Sequence, residues 1–195
     1  MRFGERPMTS DSSWPDLLKA TLAGAVQDVA TVRSDGNSLQ NITHGVTIRR
    51  LVTHVDQRGS VVELYDTRWG FSSEALPSAY CFTIRPGVVK GWNLHESHED
   101  RYALLEGDME LVLFDPRADS PTHGHVCRIR LSSMDRCLVN VPMNVWHADI
   151  NIGCKDVVVI NFPTKAYDHA APDKWRLPID TPLIPYRFPA GVVSG

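Results

Sequence analysis

Two textures divide the chain. Between residues 14 and 32 the apolar residues Leu17, Leu18, Leu22, Ala25, Val26 and Val29 recur at helical spacing, which predicts one helix over that span. Asp11, Ser12 and Ser13 offer N-cap oxygens ahead of it, Pro15 suits its first turn, and the turn formers of residues 33–38 close it. From Val46 the pattern shortens to β-prone runs at 46–55, 60–65, 79–84, 88–94, 101–105, 109–114, 126–131, 137–141, 149–152 and 157–162. Turn signals such as Gly59, Pro86-Gly87, Gly107, Pro121 and Gly153 separate them. Short runs at even spacing, without helical stretches between them, predict an all-β antiparallel sandwich or barrel. The tail after Tyr167 carries Pro172, Pro178, Pro182, Pro185 and Pro189, so it is expected to lie extended over that barrel. The expected division is an N-terminal extension with a helix at 1–45 and a barrel domain with a proline-rich tail at 46–195.

Composition narrows the function classes. With 195 residues, 43% hydrophobic and 22% charged, the chain can bury one full core. A net charge of −3 lacks the basic excess that nucleic-acid binding needs. No apolar run approaches the ~20 residues of a membrane span, and the first residues lack the apolar block of a signal peptide. Cys81, Cys127, Cys137 and Cys154 stand singly, a pattern that gives neither a zinc framework nor a disulfide scaffold. A cytoplasmic protein acting on a small molecule, with no nucleic acid and no membrane as partner, is the expectation.

Candidate chemistry concentrates in residues 86–107, where Lys90, Asn93, His95, His98, Glu99, Asp100 and Arg101 interrupt β-prone surroundings. Strand alternation puts Asn93 and His95 on one face, with Lys90 and Trp92 on the other. Histidine can take a proton from carbon, and Lys90 and Arg101 could grip phosphate or polarise a carbonyl. Trp92 and Trp146 could be stacking walls or core residues. His98, His123, His125 and His169 read as surface histidines.

Several motifs now carry a resemblance. Pro142-Met143-Asn144-Val145-Trp146-His147 with Asn151 resembles the second cupin motif, Pro-x-Gly-x-x-His-x-x-x-Asn, with Asn144 in the glycine's place. Asp56-Gln57-Arg58-Gly59 with Glu63, then Gly87-Val88-Val89-Lys90-Gly91, then Phe114-Asp115-Pro116-Arg117 leading into Ser120-Pro121-Thr122-His123-Gly124 are similar to motifs of the dTDP-4-dehydrorhamnose 3,5-epimerase family. The likeness runs from about residue 46 to residue 188. It implies a cupin, the double-stranded β-helix or jelly-roll barrel, with the N-terminal helix as an addition, and a homodimer.

The resemblance further implies an isomerase that removes a proton beside the 4-keto group of a nucleotide sugar and returns one to the opposite face. The family's histidine base falls here on Asn93, its tyrosine on Phe162, and its late aspartate finds no counterpart. His95 then substitutes as base and Tyr167 as acid. Arg58, Glu63, Lys90, Asn93, Arg101 and His147 are the expected substrate contacts, and no cofactor is expected. Many cupins hold a divalent metal, so a metal-dependent enzyme on a small carboxylic or keto substrate, with ligands Asn93 or His95, Glu99 or Asp100, and His147, is an alternative. A sugar-binding cupin without chemistry is another.

Overall fold

A computed structural model describes residues 14–36 and 38–194. Its two compact units meet in sequence at Gln40 and Asn41. In the first, helix α1 spans Trp14–Ala23, and the capping residues Asp11 to Ser13 lie outside the described residues. The helix stops about nine residues before the expected end. Gly24 follows it, the Gly24 and Ala25 amides turn back to the Thr21 and Leu22 carbonyls at 3.2 Å, and the next stretch is rich in β-branched Val26, Val29, Thr31 and Val32. Those residues propagate a helix poorly, and Val32 instead forms a bridge with Ser38. No helix among the described residues is long and apolar enough to cross a membrane.

The second unit is a jelly roll of two facing sheets. One sheet orders β1 (Thr47–Arg50), β9 (Cys137–Val141), β6 (Asp100–Glu106), β11 (Val157–Asn161) and β4 (Tyr80–Ile84) side by side. The other orders β12 (Trp175–Arg176), β5 (Val88–Leu94), β10 (Trp146–Asn151), β7 (Asp108–Phe114) and β8 (Val126–Ser132), with β13 (Val193–Ser194) also paired to β5. A separate hairpin joins β2 (Thr53–Asp56) to β3 (Gly59–Val62). The run expected at 46–55 is thus two strands, broken at Leu51, whose side chain is buried against Leu138 and Phe162.

Alternation along the strands builds three apolar layers. Leu104, Met109, Leu111, Leu113, Ile129, Val139 and Val159 fill the space between the sheets. Val89, Trp92, Val112, Ala148 and Ile150 turn outward and are covered by Ile184, Tyr186 and Phe188 of the tail. The tail therefore lies extended over the barrel, sealing an otherwise wet sheet face. Trp92 belongs to this core, fully buried against Tyr186 and Phe188, and Trp146 packs at its edge.

Two local features steer the polar residues. At β5 against β10, Asn93 pairs with His147 and Lys90 with Asp149. Three steps on one strand thus face two on the other, a bulge that breaks strict alternation. Val89 and Trp92 consequently share the outer layer, while Lys90 and Asn93 share a cleft, which replaces the face assignment expected from the sequence. Gly91 sits at this bulge, where a Cβ would stand 2.5 Å from the Ala148 Cβ and 2.9 Å from the His147 carbonyl oxygen, so only glycine fits. Asn144 adopts φ 59° in the turn before His147, which explains how asparagine can hold the glycine place of the cupin motif.

Candidate active site

One end of the barrel interior is polar, and Asp100 is its centre. The carboxylate is 2% exposed. It accepts from Asn161 Nδ2 at 2.6 Å and Tyr102 Oη at 3.0 Å. Three imidazoles surround it: His95 Nε2 at 3.3 Å, His147 Nε2 at 3.5 Å and His98 Nε2 at 3.8 Å. Asp100 opens β6, His147 lies near the start of β10, and His95 follows the end of β5. All three elements deliver their polar ends to the same mouth.

The segment 95–99 is a turn, and residues of the tail clamp it. The Asp173 carboxylate accepts from the Glu96 and Ser97 amides, the Ser97 hydroxyl and His98 Nδ1, the last at 2.9 Å. The Asp173 carbonyl accepts from His95 Nδ1. His95 therefore has both ring nitrogens engaged, whereas His98 is oriented through Nδ1 and leaves Nε2 beyond hydrogen-bond range of Asp100. The His95 and His98 rings lie 4.1 Å apart.

Burial opposes charge on His95, yet the Asp100 hydrogen bond and charge outweigh it and raise its pKa. His98 is lowered by burial and by the charge of His95, and burial takes His147 down to about 4. Asp100 is held below the usual carboxylate range because the His95 and Asn161 hydrogen bonds overcome its burial. Asp149, buried nearby, is pushed up to about 8 by desolvation and by the Asp100 charge. The arrangement is thus one fixed anion among imidazoles of different proton affinity, the separation that acid–base work requires.

His95, His98, Tyr80, Tyr167 and Lys174 line one recess at this mouth. Lys174 also borders an adjoining cleft of about 500 Å³, whose charged lining is Arg85, Lys90, Lys174 and Arg176. Burial and the neighbouring Arg176 lower the Lys174 pKa. The cleft has no carboxylate in its lining, so its chemistry favours an anion.

The structure brings His95, Tyr167, Lys90, Asn93 and His147 to this end of the barrel, but not the rest. Arg101 points to the opposite face of β6. Its guanidinium donates to the Phe162, Ala75 and Pro163 carbonyls and to the Tyr65 hydroxyl, which leaves it a structural role in place of a substrate clamp. Glu99 is fixed at its backbone by Thr164, and the carboxylate among the histidines is Asp100. Arg58 sits in the turn of the β2–β3 hairpin, paired with Asp56 at 2.6 Å. Glu63, just after that hairpin, is exposed beside Arg49 and Trp69. Phe162 packs outward on Tyr65, and the interior position beside it is Asn161, which donates to Asp100 and to the Tyr80 hydroxyl. Sequence reasoning missed Asp173, Lys174, Tyr80 and the inward His98. The first two lie in the tail, where nothing in the local pattern ties them to residues 95–98.

Comparison with known proteins agrees with this architecture. The family model described as polysaccharide biosynthesis C-terminal domain matches residues 54–175. A probable low-salt glycan biosynthesis epimerase, Agl13 of Haloferax volcanii, is 33% identical over 139 residues, spanning 70% of this chain and 88% of its own. Among solved structures, a dTDP sugar isomerase from Desulfovibrio desulfuricans superposes with TM-score 0.69 at 24% identity, over 74% of this chain and 90% of that one. A dTDP-4-dehydrorhamnose 3,5-epimerase from Bacillus anthracis gives TM-score 0.69 at 14% identity, over 80% and 93%. Those two likenesses speak for the fold, while the family model and the Haloferax relative speak for descent. The chain belongs to the polysaccharide biosynthesis C-terminal domain family, and its fold is the jelly roll of those sugar isomerases and epimerases.

Proposed function

We propose that this protein is a nucleotide-sugar epimerase or isomerase that moves a proton on carbon beside a 4-keto group. The observation that carries the reading is the junction of the imidazole recess with the cationic cleft at Lys174. The cleft offers Arg85, Lys90 and Arg176 to a diphosphate, while the recess faces the sugar with histidine and tyrosine. Lys174 lines both.

Proton transfer divides among these groups by what each nitrogen or hydroxyl is already doing. His95 is held on both sides, so the acceptor is His98, aligned by Asp173 as a carboxylate aligns a general base. It takes the proton from carbon and becomes imidazolium as the carbonyl becomes an enolate. Lys90 and Lys174 stand on the side where that oxygen's charge develops. The proton returned to the opposite face comes from a tyrosine hydroxyl, which recovers one from solvent. Tyr80 is the weaker donor, because burial and the Asp100 charge push it up to about 12. Tyr167, half exposed at the rim, takes the role.

The β2–β3 hairpin, with Val55 and Val61 exposed, suits addition to a second copy, and we read the protein as a homodimer. We read its location as cytoplasmic, which the substrate class and the four free cysteines support. The test is solvent deuterium exchange into nucleoside-diphosphate 4-keto sugars. Wild type should exchange the carbon-bound proton, and His98→Gln should slow exchange by about 100-fold or more. A folded wild type that exchanges none of these sugars would overturn the reading.

A further inference from the structure

We infer that Asp149 determines which sugar is taken, by accepting a hydrogen bond from a hydroxyl or acylamino group on carbon 2, the ring carbon next to the one bearing the diphosphate. The inference rests on the nucleotide-sugar reading above. Asp149 lies on β10, where Ala148 and Ile150 turn outward to the tail, so His147, Asp149 and Asn151 turn to the barrel interior. Its register partner on β5 is Lys90, and residues directly opposite in an antiparallel pair share a face. Lys90 lines the cationic cleft. The Asp149 carboxyl therefore stands on the side of the sheet that the cleft occupies.

The decisive observation is that the protein leaves this carboxyl unsatisfied. Asp149 is 2% exposed, and its Oδ1 accepts no hydrogen bond from any described residue. Asn151, two residues on and facing the same way, shows that the fold can do otherwise. It donates to the Ile84 and Lys155 carbonyls, each at 2.7 Å, and accepts from the Gly153 amide at 2.9 Å. Asp100 is likewise held, by Asn161 and Tyr102. A buried polar oxygen without a partner costs stability. Beside a cleft, that cost is relieved when a ligand brings the donor.

The surrounding groups say what kind of donor fits. Lys174 and Lys90 are the cations whose charge acts on Asp149, and both line the cleft. A hydroxyl answers this set, because it donates to Asp149 Oδ1 and accepts from a lysine ammonium. An acylamino group does the same through its N–H and its carbonyl. A methylene does neither. A carboxyl group offers an acceptor oxygen with or without a proton, so the contact does not depend on how Asp149 is ionised. Carbon 2 is the position that fits: the cleft takes the diphosphate on carbon 1, the His98 recess faces a carbon beside the 4-keto group, and carbon 2 lies between those ends.

The test reads affinity, so it does not depend on turnover. Calorimetry on the tag-free full chain compares uridine and thymidine diphosphate glucose with their 2-deoxy and 2-acetamido counterparts. The 2-hydroxy or the 2-acetamido sugar should bind about 10- to 100-fold more tightly than the 2-deoxy sugar, and whichever does so identifies the substituent. Asp149→Val, checked for folding by circular dichroism, should abolish that preference by weakening the tighter ligand. It should also raise the melting temperature of the free protein, because an unpartnered buried oxygen is removed. A lowered melting temperature with the preference intact would make Asp149 structural and overturn the inference. Should Asp149→Val not fold, Asp149→Ala, which adds no volume, is read in its place, and a preference retained there overturns the inference equally. Wild type that binds the 2-deoxy sugar as tightly as the others would remove this contact and leave the nucleotide-sugar reading standing, whereas binding of none would overturn both. A preference without deuterium exchange into any 4-keto sugar would keep the role of Asp149 and remove only the epimerase chemistry.

Discussion

Asp100 and Arg101 are neighbours on β6, both essentially buried, and their surroundings are opposite in kind. Arg101 faces outward into neutral acceptors: four carbonyls and a tyrosine hydroxyl take its hydrogens, and the Tyr65 ring lies 5.0 Å beneath the guanidinium. No carboxylate is among those partners. Asp100 faces inward, where two donors hold it and three imidazoles stand at 3.3 to 3.8 Å. The outward charge is saturated and knits the 65–75 segment and the 162–163 segment onto the sheet. The inward charge keeps groups nearby that its hydrogen bonds do not use up. Buried charge signals function here only where partners remain unsatisfied.

The largest expected effect breaks the saturated side. Arg101→Met leaves the Ala75, Pro163 and Phe162 carbonyls without donors, and should cost about 3–5 kcal/mol in urea unfolding. Asp100→Asn should cost less, about 2 kcal/mol or under, because the amide oxygen can still accept from Asn161 while its NH2, in place of the other carboxylate oxygen, can donate to the Tyr102 hydroxyl. Its exchange of substrate protons should nevertheless fall by about 100-fold. If Asp100→Asn unfolded the protein while Arg101→Met were silent, the division between the two faces of β6 would be wrong.

That division also marks what the sequence could reveal. Strand alternation is local, so the placement of the β-runs follows from it; it also sets Asp100 and Arg101 on opposite faces of β6, which the expected substrate role of Arg101 overlooked. The inward turn of His98 did not follow, because residues 95–99 leave the strand after Leu94 and the two-residue period no longer applies. The expected separation of Lys90 from Asn93 failed for a related reason, a bulge at Gly91, where Ala148 approaches closely. Asp173 reaches His98 across 75 positions. Such a contact depends on where the tail docks, and the tail's prolines predict only that it is extended.

A smaller effect sharpens the comparison with a third buried carboxylate. Asp115 is fully buried and accepts from the Arg117 amide, Arg117 Nε and Nη2, Ser120 and Thr122. Burial opposes its charge, but the Arg117, Ser120 and Thr122 hydrogen bonds hold its pKa below the usual carboxylate range. The stability it contributes is present above the unfolded value of about 3.9 and is lost as pH falls through the folded value. Asp115→Asn should therefore destabilise the protein by about 1–3 kcal/mol near neutrality and flatten the acid limb of a stability–pH profile below about pH 4. Because this carboxylate is as saturated as Arg101, exchange chemistry in the surviving folded protein should be unchanged. A loss of exchange there would mean that saturation does not separate structural from functional charge.

The smallest effect concerns the hairpin. Arg58 and Asp56 have side chains 84% and 51% exposed, and an exposed pair of this kind is largely cancelled by solvent and side-chain entropy. Arg58→Ala should leave the urea midpoint where it is. Arg58 does not line the cationic cleft of its own chain, so a monomer predicts no change in substrate affinity either. In the homodimer proposed here the hairpin is free to reach a second copy. Arg58→Ala then raises KM with kcat preserved, and the wild-type advantage fades on dilution as the dimer dissociates. Sedimentation alongside the kinetics separates the two cases: a concentration-independent KM identical to wild type would confine the site to the single chain, with Arg58 merely closing its own turn.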